Sequence, residues 1–297
     1  MFSTAPGETV TRAEGETIGS FESHYSPPVG ELSRFVETFW AARGQLEATR
    51  ELIAPTGSTV AAIVLGPAII QGHPGGEPAP MRRGFLIGPH ERPIINQPTG
   101  RTFAVGFVTT PVGCEALLGV LPSAVRGQAV ELDSVWAPAV ALRRDLAAAA
   151  AQGAPLPALT GLVQDRLAAG VNSSISGLER CEAAVRLLQE DPMTPVPVVA
   201  RETGLAHGSL DREFARIVGL TPRSVARIIR LRRLLADVDV HQRVRWAEVA
   251  TRLGWFDQAH LIRDFTRHTG VTPGEYLAAQ RAGYPPDQNA PGFVPQK

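Results

Sequence analysis

The chain has 297 residues, 44% hydrophobic and 20% charged, the composition of an ordinary folded protein long enough for two cores. With 29 basic and 29 acidic residues its formal charge is zero; no run of about eighteen apolar residues offers a membrane span, and the start lacks the basic segment and apolar run of a secretion signal, so a cytoplasmic protein with no membrane partner is expected. Its 2 cysteines, Cys114 and Cys181, and 7 scattered histidines form neither a disulfide framework nor a metal-ligand spacing, so no metal and no other cofactor is expected.

In chain order, residues 1–20 are rich in Gly, Thr and Glu and are expected to be a disordered arm. After the Ser26-Pro27-Pro28 turn, Leu32, Phe35, Val36 and Phe39 stand at helical spacing and predict a helix over 31–40. Apolar runs broken by Gly and Pro then predict strands over 58–65, 68–71, 84–87 and 102–108, and helices are expected over 116–120, 139–151 and 156–169. Residues 21–170 therefore read as an α+β sensing or dimerisation domain, with strands early and helices late. The small, polar and aperiodic stretch 171–177 reads as a linker.

From Leu178 onward helical segments follow one another: 178–190, 196–203, 209–218, 222–238, 246–253, 258–268 and 273–282. This predicts an all-α C-terminal domain of seven helices over 178–283. The tail, 284–297, carries four prolines and is expected to be disordered.

Charge is unevenly divided. Residues 180–281 hold 16 Arg against 12 Asp and Glu, an excess of four positive charges, and the remainder holds the matching negative excess. The basic part is the one suited to phosphate.

Within the helical region the chain resembles itself at a period of about fifty residues. Val199-Ala200, Gly204, Leu210, Arg212, Phe214, Gly219 and Thr221-Pro222 return as Val249-Ala250, Gly254, Leu261, Arg263, Phe265, Gly270 and Thr272-Pro273, with one extra residue between the Gly and the Leu of the second copy. Each copy has an alanine that lets a second helix approach, a glycine for the left-handed cap of a turn, and a Leu and Phe four apart that face inward. This is a helix-turn-helix. Arg212 and Arg216 in the first copy, and Arg263 and Arg267 in the second, then point outward.

With the stretch Gly254-Trp255-Phe256-Asp257-Gln258-Ala259-His260-Leu261, followed by Phe265, Gly270, Thr272-Pro273 and Tyr276, residues 178–281 resemble the DNA-binding domain of the AraC/XylS family. That resemblance implies two helix-turn-helix units joined by one long helix, here 222–238, and double-stranded DNA of a promoter or operator as partner. It places base-facing positions at Gln258, Ala259 and Arg263, with His260 and Arg267 nearby, and in the first unit at Gly208, Asp211 and Arg212. Gln and Arg suit bidentate reading of A and G edges. The first unit departs from the pattern: Gly208 has no side chain, Asp211 repels phosphate, and Ala206 replaces the usual hydroxyl cap.

Residues 22–150 are similar to a poorly characterised N-terminal domain of such regulators, through Tyr25-Ser26-Pro27-Pro28, Phe39-Trp40, Pro55-Thr56-Gly57, Gly106-Phe107 and 114–118. The resemblance implies a sequence-specific transcription regulator controlled by a small-molecule effector or by homodimerisation through this domain. The alternative gives the domain a protein partner and no small molecule. An enzyme needs a catalytic constellation, and the sequence offers none. His73 reads as a loop residue; His90, Glu91 and Arg92 read either as an anion site or as an exposed turn before Pro93; Trp40 and Trp136 read as core, with the lining of a pocket as the alternative.

Overall fold

The computed structural model describes residues 9–11, 21–45, 50–284 and 290–296. Of the expected disordered arm only the strand β1 (Thr9–Thr11) is among them. Two antiparallel sheets follow. One runs in the order β1, β2 (Glu22–Ser26), β3 (Val36–Gly44), β10 (Thr102–Thr109), β5 (Val60–Val64), β8 (Gly84–Ile87) and β11 (Ala129–Glu131). The other is β12 (Phe293–Gln296), β4 (Arg50–Ile53), β9 (Ile94–Pro98), β6 (Ile69–Gly72) and β7 (Ala79–Met81). Helices α1 (Gly113–Leu118), α2 (Pro122–Val125), α3 (Pro138–Ala151) and α4 (Leu156–Ala168) complete this α+β part.

The period-2 geometry of strands sorts their side chains between two cores. Ala61 and Ile63 of β5 face the core under α3 and α4, whereas Ala62 and Val64 join Phe85, Ile87, Ile69 and Ile94 between the two sheets. Burial on both faces makes β5 and β8 continuous apolar runs, and the sequence shows both.

The expected helix over 31–40 is not formed. A single 3-10 turn spans Gly30–Arg34, and Val36 onward is the interior strand β3, paired with β2 on one side and β10 on the other. Leu32, Phe35, Val36 and Phe39 are all buried, as the pattern required. In a short apolar run helical spacing and buried-strand spacing coincide, and pairing on both sides decides for the strand that Val36, Thr38, Phe39 and Trp40 favour.

The C-terminal part has seven helices among the described residues: α5 (Leu178–Glu190), α6 (Val196–Glu202), α7 (His207–Ile217), α8 (Pro222–Asp237), α9 (Trp246–Arg252), α10 (Gln258–Thr269) and α11 (Pro273–Gly283). Residues 171–177 carry neither helix nor strand, but they are tied down: the Asn172 N–H donates to the Ala116 carbonyl at 2.8 Å, and the Ser176 carbonyl accepts from Arg216.

Packing crosses this segment. Phe39, Phe107, Leu146 and Leu156 share one continuous core with Leu178, Leu188, Leu210, Phe214 and Ile228. A second core joins Leu231, Leu234, Leu261, Phe265 and Tyr276 to Leu52 of β4, Ile95 of β9 and Val294 of β12. The tail is therefore not wholly disordered as expected. Val294 pairs with Leu52 at the edge of the five-stranded sheet, the Gly292 N–H donates to the Tyr276 hydroxyl at 3.2 Å, and the Gln280 amide donates to the Ala290 carbonyl at 3.1 Å. Pro295 is tolerated because β12 is an edge strand, where a missing N–H costs no ladder bond.

Candidate nucleic-acid interface

Both repeats fold by the same local device. After α6, Gly204 takes φ +70° and the Leu205 N–H donates to the Ala200 carbonyl at 2.8 Å; after α9, Gly254 takes φ +79° and the Trp255 N–H donates to the Ala250 carbonyl, also at 2.8 Å. The left-handed glycine reverses the chain without the strain that a Cβ would bring. It delivers α7 and α10 across their partners with Leu210 and Phe214, and Leu261 and Phe265, fully buried.

The second unit is built more firmly. Asp257 caps α10 by accepting the His260 N–H at 2.6 Å, whereas Ala206 gives α7 no side-chain cap. Behind α10, Phe265 meets Tyr276 edge-on at 5.5 Å and Trp246 at 6.2 Å. A buried polar group ties α10 to the long helix α8. Asp264 accepts the Trp255 Nε1–H at 3.1 Å and lies 3.7 Å from the Arg230 guanidinium, which stands 4.9 Å over the Trp255 ring and donates to the Gly254 carbonyl at 3.0 Å. Burial outweighs the neighbouring carboxylate and pulls the Arg230 pKa below its ordinary value.

On the outer face of α10, Gln258, Ala259, Arg263 and Arg267 are exposed. Arg263 makes no hydrogen bond or ion pair with the described residues. His260 is half-buried, with its Nε2 3.6 Å from Asp264, so its ring leans along the helix. In α7, Gly208 and Arg212 are exposed, Arg212 donating to the Ser209 hydroxyl at 3.1 Å, and Asp211 faces His207 at 3.8 Å.

The other two outward arginines are engaged by the N-terminal part. Arg216 lies 3.3 Å from Glu115, and Arg267 lies 3.8 Å from Glu91. Glu91 also pairs with Arg126 at 3.2 Å, and its backbone carbonyl meets the His268 Nδ1 at 2.6 Å. Arg232 of α8 is held by Glu37 of β3 at 3.1 Å. Part of the positive excess of the helical part thus faces N-terminal carboxylates rather than solvent. Nothing in the sequence marks Glu91 or Glu115 for this role, because each meets its arginine across more than a hundred residues of chain.

Of the exposed turn expected at His90-Glu91-Arg92 only Arg92 is exposed: His90 is 5% exposed and its Nδ1–H donates to the Gly88 carbonyl at 2.9 Å. Its burial pushes the imidazole pKa down to about 4. Among the described residues no cluster of three or more His, Cys, Asp or Glu is placed to hold a metal, and no helix is long and apolar enough to cross a membrane.

Comparison with known proteins follows the same division. Residues 199–279 match the family described as a helix-turn-helix domain, and residues 24–131 match a domain of unknown function, DUF6597. No curated protein matches the chain. Among solved structures, ToxT from Vibrio cholerae aligns at 8% identity over 88% of this chain and 98% of its own, with a TM-score of 0.44. The C-terminal domain of AraT, a response regulator from Geobacillus stearothermophilus, aligns at 20% identity over 33% of this chain and 84% of its own, TM-score 0.31. A probable AraC family transcriptional regulator from Rhodopseudomonas palustris aligns at 22% identity over 34% and 95%, TM-score 0.30. The paired helix-turn-helix units and the match over residues 199–279 identify the C-terminal part of this chain as an AraC-type helix-turn-helix domain, the DNA-binding part of a transcription regulator.

Proposed function

We propose that this chain is a sequence-specific regulator of transcription in which α10 is the principal reader of bases and α7 contributes mainly phosphate contacts. The observation that carries this is the asymmetry of the two outer faces. Gln258 stands exposed at the capped start of α10 and Arg263 one turn further along it, and Arg263 has no hydrogen bond or ion pair with the described residues. In α7 Gly208 has no side chain, Asp211 is acidic, and Arg216 is occupied by Glu115, which leaves Arg212. A recognition helix reads base edges through its N-terminal residues, and Gln and Arg make the bidentate contacts that discriminate A and G.

The N-terminal part, residues 21–170, is the controlling domain in this reading, with residues 171–177 as its connection to the DNA-binding part, 178–283. Both helix-turn-helix cores include its side chains, so an effector or a second copy bound there acts on both units through packing. Selection of bound sequences from a random double-stranded library by the full chain is the test. A defined motif supports the reading; recovery of unenriched DNA at every salt concentration would refute it. Thermal-shift screening of the full chain against small metabolites, with sedimentation across a concentration series, tests the two modes of control.

A further inference from the structure

The two repeats differ in length at one point, and the structure locates it. From the left-handed glycine to the residue that caps the recognition helix there are two steps in the first copy, Gly204 to Ala206, and three in the second, Gly254 to Asp257. Before this point the copies coincide, since Leu205 and Trp255 donate equivalent hydrogen bonds to Ala200 and Ala250. After it they coincide again: Leu210 and Leu261 are each the fourth residue of their helix and each fully buried. The inserted residue is Phe256.

It adds nothing to the fold. The side chain is 93% exposed, the most exposed large hydrophobic residue described, while Trp255 before it is buried and Asp257 after it is spent on the cap. Its place is two residues ahead of the exposed Gln258, on the end of α10 that the proposed function turns toward bases. Burying a phenylalanine is worth far more than leaving it in water. The one apolar group on the major-groove edges of the four bases is the thymine 5-methyl, with which Phe makes direct contact.

Resting on the reading of α10 as the base-reading helix, we propose that Phe256 is a specificity-determining residue. Its ring packs on the 5-methyl group of a thymine beside the bases met by Gln258 and Arg263. The first unit, which lacks the inserted residue, has no counterpart.

The test uses the full chain and the DNA motif obtained by selection. Each thymine of the site is replaced in turn by deoxyuridine, which lacks only the methyl group. For the unaltered protein, one or two of these replacements should weaken binding about fourfold, the worth of one buried methyl group. Phe256→Ala should weaken binding to the thymine site about tenfold and remove the sensitivity to deoxyuridine at that position, while its melting temperature stays that of the parent. Phe256→Leu should keep part of the sensitivity. The inference is overturned if the parent is indifferent to every replacement, or if Phe256→Ala keeps the full loss at the same thymine. It is equally overturned if Phe256→Ala weakens binding uniformly on all sequences, the mark of a sugar contact, or if the substitution lowers the melting temperature. A parent chain that binds no DNA overturns the reading of α10 itself, and that outcome is seen before any variant is made.

Discussion

Neutralising Asp264 isolates the buried polar group that fastens the second recognition helix to α8. Both Asp264 and Arg230 are 8% exposed, so each charge depends on the other for compensation. Asp264→Asn keeps an acceptor for the Trp255 Nε1–H and removes only the counter-charge, leaving a buried guanidinium with the Gly254 carbonyl as its remaining oxygen partner. Breaking a buried ion pair from one side costs about 3–5 kcal/mol. Asp264→Ala also strands the indole N–H and should cost about 1–3 kcal/mol more. Arg230→Met combined with Asp264→Asn removes the stranded cation and should recover most of the first loss, because burial already costs the guanidinium more than the carboxylate returns. Urea denaturation of the full chain followed by circular dichroism measures all three. Equal stability of Asp264→Asn and the parent, or a double variant less stable than Asp264→Asn alone, would refute this account of what holds α10 in place.

Further expectations concern packing, charge and pH. Phe265→Ala removes a fully buried ring with two aromatic neighbours and should cost about 3–5 kcal/mol, read from the denaturation midpoint; an unchanged midpoint would mean that the inward face of α10 is assigned wrongly. Arg263→Ala should lower discrimination at one or two base pairs by about 1–3 kcal/mol, whereas Arg212→Ala should weaken all sequences alike and reduce the salt slope by about one unit; the reverse pattern in competition binding would remove α10 as principal reader. Glu115→Gln removes the carboxylate facing Arg216, leaving the Ser176 carbonyl as its acceptor, and should steepen the salt dependence of non-specific binding by about one unit, with no change if Arg216 lies beyond reach of phosphate. His90 is neutral in the fold, with its pKa near 4, while the unfolded chain takes up the proton near 6.5. Its contribution is therefore full above pH 6.5 and lost as pH falls toward 4, about 1.4 kcal/mol per unit. Comparing denaturation midpoints at pH 7.5 and 5.0, His90→Gln should show a clearly smaller acid loss than the parent, and an equal loss would refute the assignment.

The helical half was legible because its information is local. Leu and Phe four apart, a glycine at each turn, and Thr-Pro before α8 and α11 are short-range signals repeated twice, and the structure places α5 at the residues expected and the other six helices within two residues at either end. Asp257 and Ala206 as unequal caps could likewise be read directly, since a cap bonds within three residues of itself. What only the tertiary structure decided depends on distant partners. Val36–Gly44 is a strand because β2 and β10 flank it, although its leading apolar residues also fit a helix. Val294 folds onto Leu52 across nearly the whole chain, so a proline-rich tail could not reveal itself as the edge of a sheet. The outward arginines were visible as a stripe, but which of them remain free was not: Arg216 and Arg267 meet Glu115 and Glu91, and Arg263 meets no carboxylate among the described residues. Periodicity determines which side of a helix faces inward; the approach of a second folded layer determines which charges on the other side are left for a partner.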